Sequence, residues 1–305
     1  MRQAKPTLVL MAAGMGSRYG GLKQIDGLGP NGETLMEYAI FDALKAGFGK
    51  IVFIIRKNME TVFHEVFNDK LLKHIPYEMV FQELDDLPCN YTAPENRAKP
   101  WGTAHAVWVC RNVVDTSFAV INADDFYGRE AYQNVADYFN HNNNPLAYAM
   151  NAYQLDKTLS DFGGVTRGIC QVDSDNQLTK VDEHLRLARN AKGVVESTLS
   201  DKTIEIDPKS PVSMNIWAFY PTVFELLEQY LIEFLEKNLH EPKAEAYTPA
   251  FVDAMILQQK ASVKVLTSSA KWFGVTYSED KARVQSVLQK LIDQGTYPTP
   301  LFELK

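Results

Sequence analysis

The sequence has few cysteines, and none of them is in a metal-binding arrangement. The 305 residues include three, Cys89, Cys110 and Cys170, which lie far apart and form no C-x-x-C pair. A disulfide framework needs an even set of cysteines, and a structural zinc site needs closely spaced ones. The sequence therefore argues against both and favours a reducing compartment.

Long apolar runs and an excess of basic charge are also missing. The N-terminal apolar run at 8–13 is too short for a signal peptide or a membrane span and leads directly into glycines. The formal net charge of −7 disfavours a surface that follows nucleic-acid phosphates. We therefore expect a cytoplasmic protein with neither a membrane nor a nucleic-acid partner, while the sequence leaves open whether it forms a homo-oligomer.

The pattern of apolar residues predicts an α/β fold. Four apolar strands alternate with helical patterns in the first half of the chain, and such alternation implies βαβ units. One helix has a clear start, because Thr34 and Glu37 are spaced as a capping box. We expect a Rossmann-like, mostly parallel sheet flanked by helices. The four predicted strands are 7–13, 51–55, 77–82 and 118–123.

The second half of the chain is less regular. Short strand patterns there are mixed with three helical patterns, which predicts a smaller mixed β region. The predicted strands are 164–172, 177–181, 213–219, 263–266 and 272–276, and the predicted helices are 221–239, 248–258 and 278–293. The irregular stretch 84–100 is long for a compact domain, and such loops are usually functional or mobile.

A glycine-rich loop with basic residues follows the first strand. It runs from Gly14 to Gln24 and contains Arg18 and Lys23. Glycines let backbone N–H groups approach an anion, and the two cations add fixed positive charge, so the loop suits a polyphosphate. It lacks the third glycine of a dinucleotide-binding loop, and Leu22 precedes its lysine where a P-loop has glycine.

The loop resembles that of the sugar-phosphate nucleotidyltransferase superfamily, whose signature is L-A-A-G-x-G-[ST]-R followed by K-[PQ]. Residues 11–18 read M-A-A-G-M-G-S-R, and Lys23-Gln24 follows. The resemblance implies a nucleotide-diphospho-sugar transferase fold over 1–305, with an NTP-binding half at about 1–150 and an acceptor-binding half at about 151–305. It implies that Arg18 and Lys23 are catalytic and hold the triphosphate. The nucleotide-binding residues that it implies are Ala12, Ala13, Gly14, Gly16, Ser17, Gln82, Gly102 and Thr103.

Two adjacent carboxylates, Asp124 and Asp125, follow the fourth strand. Open α/β sheets bind ligands at the carboxyl ends of their strands, and Mg²⁺ takes carboxylate and phosphate oxygens. The resemblance aligns Asp124 with the metal ligand and catalytic carboxylate of the family. Asp125 is either a second ligand or a turn cap.

The acceptor side carries weaker matches to the same family. The resemblance implies that acceptor-binding residues are Gly164 in a Y-G-V-like segment, Glu183 and His184 at an E-K-P-like position, and Asn215 on a strand. His184 replaces the lysine of the family. Another departure is Gly274, which stands where many members carry a second metal-binding Asp.

The reaction implied is transfer of NMP from an NTP to a sugar 1-phosphate or a similar phosphorylated acceptor, with release of pyrophosphate and dependence on Mg²⁺. The departures at His184 and Gly274 keep a second interpretation open: a catalytically weak or inactive regulator of the same fold that binds nucleotide sugars. A glycosyltransferase fits less well, because Asp124 and Asp125 lack the spacer of a D-x-D motif.

Overall fold

The computed structural model describes residues 4–14, 26–67, 71–160, 163–199, 202–274 and 280–302. Within these ranges the chain forms strands β1 Thr7–Met11, β2 Lys50–Ile55, β3 Tyr77–Phe81, β4 Phe118–Asn122, β5 Asp125–Phe126, β6 Ala147–Gln154, β7 Val165–Val172, β8 Leu178–Arg189, β9 Val195–Leu199, β10 Lys202–Glu205, β11 Pro211–Phe219, β12 Ser262–Thr267 and β13 Phe273–Gly274. The helices are α1 Leu35–Lys45, α2 Glu60–Phe67, α3 Thr103–Trp108, α4 Arg129–His141, α5 Val223–Asn238, α6 Thr248–Leu257 and α7 Asp280–Asp293.

One mixed sheet runs through the described part of the molecule. It has eleven strands, nine of them in the order β10-β9-β8-β7-β11-β4-β1-β2-β3, while β6 pairs with β11 and β12. β4, β1, β2 and β3 are parallel, and β11 runs antiparallel to β4. The predicted fold class is confirmed: a mainly parallel half adjoins a mixed β half.

Helices cover both faces of the parallel strands. α1, α2 and α4 bury residues such as Met36, Phe63 and Val135 against one face. On the other face, α3, α5 and α6 bury Val107 and Leu231 among others. Strands covered on both sides must be apolar throughout, which explains their continuous hydrophobic runs. None of the helices in the described ranges is long and apolar enough to cross a membrane.

Helix α1 begins where the sequence predicts. The Thr34 hydroxyl accepts a hydrogen bond from the Glu37 amide at 3.2 Å, and the Glu37 carboxylate accepts one from the Thr34 amide at 2.7 Å. These two bonds form the reciprocal capping box and satisfy amides that the first helical turn leaves unpaired.

The irregular segment 84–100 is anchored to the loop between α5 and α6. The Arg97 guanidinium donates to the carbonyl oxygens of Glu241 at 3.0 Å and Ala244 at 2.6 Å, and it stacks 3.3 Å from the ring centre of Trp101. The Trp101 indole N–H in turn donates to Leu84 O at 2.9 Å. Backbone acceptors therefore fix this long loop at both of its ends.

Candidate active site

The carboxyl ends of β1 and β4 lie side by side. Met11 pairs with Asn122 in the parallel register, so the glycine loop and the segment with Asp124 leave the sheet next to each other. The Arg56 Nε donates to Ala13 O at 2.9 Å, which holds the start of the loop. Of the predicted loop residues, the structure describes Ala12, Ala13 and Gly14. Gly16, Ser17, Arg18 and Lys23 lie outside the described residues.

A cavity of about 540 Å³ opens beside these strand ends. We call it the acceptor cavity after Glu183 and Asn215, which line it and which the sequence resemblance predicts to bind the acceptor. β4, β7, β8 and β11 all contribute to its walls. Five predicted site residues line it together: Thr103, Asp124, Asp125, Glu183 and Asn215. Residues predicted from four separate parts of the sequence thus meet around one space large enough for a small ligand.

Asp125 is buried on the wall of the acceptor cavity, with only 7% of its surface exposed. Its Oδ2 accepts a hydrogen bond from the Asn122 side-chain amide at 2.8 Å. β5 and β13 pair so that Gly274 stands directly opposite Asp125. A Cβ added at Gly274 would collide with Asp125 Oδ1. The Asp125 carboxylate therefore fills the space that a side chain at position 274 would need.

The carboxylates in this cavity fit a Mg²⁺ site. Asp124 is half-buried and Asp125 is buried, and both line the same space. No cluster of three or more His, Cys, Asp or Glu side chains that could hold a metal occurs in the part of the chain that the structure describes. Mg²⁺ does not need one, because it is usually held by one or two carboxylates together with water and substrate phosphates.

Asn215 has an unusual backbone conformation in the middle of a strand. Its φ is +61°, and the β11–β6 register shifts between Ser213 and Trp217. A non-glycine residue at positive φ is strained, and Asn tolerates it better than most. Such bulges and strained residues often lie at binding sites, where they direct a side chain. Trp217, by contrast, is fully buried in the core.

The predicted acceptor residues near the strand pair β7–β8 do not all line the acceptor cavity. Gly168 and Glu183 are directly paired, and both line the acceptor cavity. His184 follows Glu183 on β8, so the strand alternation turns its side chain to the other face of the sheet. Neither His184 nor Gly164 is among the lining residues. The glycine that lines this wall is Gly168, four residues after Gly164.

Arg167 is a lining residue that sequence reasoning missed. Its Nη1 donates to Thr166 O at 2.8 Å, and its Nε donates to the Thr158 hydroxyl at 3.2 Å. The guanidinium also lies 4.8 Å from the ring centre of Trp272. Burial lowers the pKa of Arg167 to about 10, and the nearby Asp125 carboxylate opposes this shift. The side chain therefore remains cationic at neutral pH.

Gln82 is fixed in one orientation beside the start of α3. Its amide nitrogen lies 3.0 Å from Gly102 O, which can only accept, so this atom is the NH₂ group. It also lies 3.3 Å from His105 Nδ1, while His105 Nε2 lies 2.6 Å from Asp86 O and must carry the ring proton. Burial lowers the pKa of His105 and keeps it neutral. Both NH₂ protons of Gln82 are thus engaged, and its carbonyl oxygen remains as an acceptor for a ligand.

Gly102 and Thr103 are held by the loop before α6. Gly102 has φ +101°, and a Cβ at this position would collide with the backbone of Ala246. The Thr103 hydroxyl accepts a hydrogen bond from the Thr248 amide at 2.8 Å. The requirement for glycine at 102 therefore has a backbone cause that is independent of any ligand.

Several solved structures share this fold at low sequence identity. The inositol-1-phosphate CTP transferase from T. maritima is 13% identical, with a TM-score of 0.63 over 95% of this chain and 98% of its own. A UDP-glucose pyrophosphorylase complexed with UDP-glucose is 13% identical, with a TM-score of 0.57 over 94% and 99% of the two chains. A candidate glucose-1-phosphate thymidylyltransferase from Bacillus anthracis is 12% identical, with a TM-score of 0.60 over 94% and 96%.

A family assignment comes from the sequence itself. No curated protein matches the chain. Residues 8–275, however, match the family described as nucleotidyl transferase. This match spans β1, the glycine loop, the Asp124 segment and every wall of the acceptor cavity. The protein therefore belongs to the nucleotidyl transferase family.

Proposed function

We propose that the protein transfers NMP from an NTP to a sugar 1-phosphate or a similar small phosphorylated acceptor and releases pyrophosphate. One observation carries the proposal: the carboxylates at the end of β4 and the acceptor-side residues Glu183 and Asn215 line one cavity. A nucleotidyltransferase must hold an NTP and an acceptor in contact, and a cavity at the end of the parallel strands provides that arrangement.

The reaction requires two anions to meet in line. The acceptor phosphate oxygen attacks the α-phosphorus as pyrophosphate leaves, and an ionised phosphate needs no general base. Catalysis then consists of positioning and charge neutralisation. Arg18 and the loop amides would hold the β- and γ-phosphates, and Lys23 would neutralise the α-phosphate. The loop that contains them starts beside Asn122 in the parallel register of β1 and β4.

Asp124 and Asp125 would hold Mg²⁺, which would supply positive charge to offset the negative charge of the reacting phosphates. On the base side, the Gln82 carbonyl oxygen would accept a hydrogen bond from a base N–H. Glu183 and Asn215 would bind acceptor hydroxyls.

Pyrophosphate release is the direct test of this function. A panel of NTPs and sugar 1-phosphates with Mg²⁺ should contain a pair that the wild-type protein consumes. The Asp124→Ala variant should lose about a hundredfold or more in turnover, a loss typical for removal of a preorganised electrostatic group. It should still bind NTP in a thermal-shift assay, whereas Arg18→Ala should lose both. Equal turnover by Asp124→Ala and wild type would contradict the metal assignment.

The regulator hypothesis predicts the opposite result in the pyrophosphate-release assay. A nucleotide-sugar-binding regulator would be stabilised by its ligand, because a ligand of the folded state raises apparent stability. It would nevertheless release no pyrophosphate with any pair in the panel. The replacement of the family Asp by Gly274 favours this candidate. The retained Asp124, with Asp125 beside it, favours the enzyme.

A further inference from the structure

A second cavity, of about 760 Å³, is lined by an excess of basic residues. Among the described residues it shares only Trp272 with the acceptor cavity. Four of its described lining residues are basic, and only Asp156 is acidic. The whole chain has a formal net charge of −7, so the charge of this cavity is opposite in sign to that of the molecule. We call it the basic cavity, and its four cations are Lys157, Arg189, Lys271 and Arg283.

These cations come from four different parts of the fold. Lys157 ends the 3₁₀ turn Leu155–Lys157, Arg189 ends β8, Lys271 precedes β13, and Arg283 lies on α7. Like charges that converge repel one another, and an anion between them would turn this repulsion into attraction. The tertiary structure thus concentrates positive charge that no single stretch of the sequence displays.

Neighbouring carboxylates leave most of this charge unneutralised. The amino groups of Lys157 and Lys271 have no hydrogen-bond or ion-pair partner among the described residues. Arg189 donates one hydrogen bond, from Nη1 to Gly193 O at 3.0 Å. Within the described ranges only Arg283 has an acidic partner, since its Nη2 lies 3.6 Å from Asp280 Oδ1. Most of the N–H groups of the four side chains therefore remain for a ligand.

Trp272 gives a second, independent sign of a ligand in this part of the molecule. Its side chain lines the basic cavity, and the residue is only 8% exposed. The indole nitrogen is buried and has no hydrogen-bond partner among the described residues. Buried donors are normally satisfied, so an unpartnered one in a cavity wall calls for an acceptor atom. A phosphate oxygen is such an acceptor.

The remaining wall of the basic cavity decides which kind of anion fits. Leu159, Val284 and Val287 add apolar surface between the cations. Lysine and arginine side chains bind phosphate oxygens, and the apolar wall suits the organic part of a ligand. One carboxylate, that of Asp156, offers a divalent ion little to bind. The anion would therefore be held by the basic side chains themselves and not through a metal.

We propose that the basic cavity binds a small organic diphosphate directly, without Mg²⁺. This site goes beyond the proposed function, because it uses none of the residues assigned to that reaction. Two phosphates match the excess of cations better than one, since each phosphate can pair with more than one basic side chain. Trp272 lies in the wall of the site, so its environment changes when the ligand binds.

Calorimetric titration with ADP in the presence of EDTA tests this site. The Arg18→Ala background is used, because that variant should lose nucleotide binding at the glycine loop. We expect ADP to bind at one site in this background, and AMP to bind about fivefold more weakly or worse. Adding Lys157→Met and Lys271→Met should weaken ADP binding by about tenfold or more, because charged hydrogen bonds are lost. Both lysines are exposed, so their replacement should leave the fold intact.

A matched control removes the same charge elsewhere. Lys192→Met and Lys209→Met replace two exposed lysines that line neither the basic nor the acceptor cavity. In the Arg18→Ala background this pair should leave ADP affinity within about twofold. Equal weakening by the control pair would assign the effect to net charge and overturn the site. Absence of ADP binding, a requirement for Mg²⁺, no effect of the Lys157 and Lys271 pair, or equal affinity for AMP and ADP would also overturn the proposal.

Tryptophan fluorescence gives a readout at the cavity wall. ADP should change the emission of the Arg18→Ala protein, and Trp272→Phe in that background should abolish the change. The other three tryptophans are buried and do not line the basic cavity; they are Trp101, Trp108 and Trp217. An emission change that survives Trp272→Phe would place ADP elsewhere and contradict the site.

The outcomes for this site and for the proposed function are separable. If wild type releases no pyrophosphate with any substrate pair but the Lys157 and Lys271 pair controls ADP binding, the proposed function fails and the diphosphate site stands. If wild type releases pyrophosphate but the Arg18→Ala protein binds no ADP, the function stands and the site fails.

Discussion

At the scale of single residues, Asp125 and Gly274 form a matched pair. The sequence resemblance aligns Gly274 with a metal-binding Asp of the family, and the structure shows the Asp125 carboxylate against the Gly274 Cα. Two carboxylates in this space would both overlap and repel each other. The absence of a side chain at 274 is therefore the condition under which Asp125 can occupy its position.

Restoring the family residue should destabilise the protein. We expect Gly274→Asp to lower the free energy of unfolding by about 2 kcal/mol, because overpacking alone costs 1–3 kcal/mol in a packed site. The double variant Asp125→Ala/Gly274→Asp should recover much of this loss, since it removes the clash. Urea unfolding of wild type, both single variants and the double variant measures the coupling between the two positions. Strict additivity of the two single effects would show that the side chains do not compete for space.

At the scale of secondary-structure elements, helix α1 depends on its capping box. Thr34→Ala removes the hydroxyl acceptor of the Glu37 amide, and loss of such an N-cap typically costs about 1 kcal/mol. Thr34→Ser keeps the oxygen and should stay within a few tenths of a kcal/mol of wild type. Chemical denaturation of both variants measures the difference. Equal losses in the two variants would assign the effect to the buried Thr34 methyl group and not to the cap.

The elements that the sequence predicts best are those whose burial leaves a simple pattern. β1, β2 and β4 are apolar runs because helices cover both of their faces, and all three are found where predicted. The sequence pattern does not predict α4 or β6. The N-cap of α4 is Gly128, which offers no capping side chain, and β6 contains three Ala and one Asn, residues with weak strand preference. Pairing with both β11 and β12 stabilises β6, and a local sequence pattern does not contain that information.

The same limit applies to the candidate site. Asp124 and Asp125 can be predicted because their place follows from one strand and its end. Arg167 and Gly168 depend on the register of β7 against β8 and β11, and a shift of one residue exchanges the two faces of a strand. A glycine inside a strand pattern is the signal that could have identified Gly168, since it often marks close approach of another group.

At the scale of the whole molecule, a buried polar cluster joins the end of the chain to the sheet-flanking helices. Asp42 on α1 accepts a hydrogen bond from the Tyr297 hydroxyl at 2.6 Å and one from the Arg129 Nε of α4 at 3.2 Å. The Tyr297 ring also packs edge-on against Tyr38. These contacts connect residues 255 positions apart in the sequence and fasten the segment after α7 to the parallel half of the fold.

This cluster should make stability depend on pH. Burial raises the pKa of Asp42 to about 6 from an ordinary 3.8, although the bonds from Tyr297 and Arg129 act in the opposite direction. The folded state therefore binds this proton more tightly than the unfolded chain. The protonated group's contribution to the free energy of unfolding is fully present below about pH 4 and is lost as the pH rises through about 6.

Asp42→Asn provides the matched control, because it keeps an oxygen acceptor for Tyr297 but does not titrate. Relative to this variant, wild type should lose up to roughly 3 kcal/mol between pH 4 and pH 7, since one pKa unit corresponds to 1.36 kcal/mol. Urea unfolding of both proteins across this range provides the comparison, and a difference that stays constant with pH would show that Asp42 titrates normally in the folded protein.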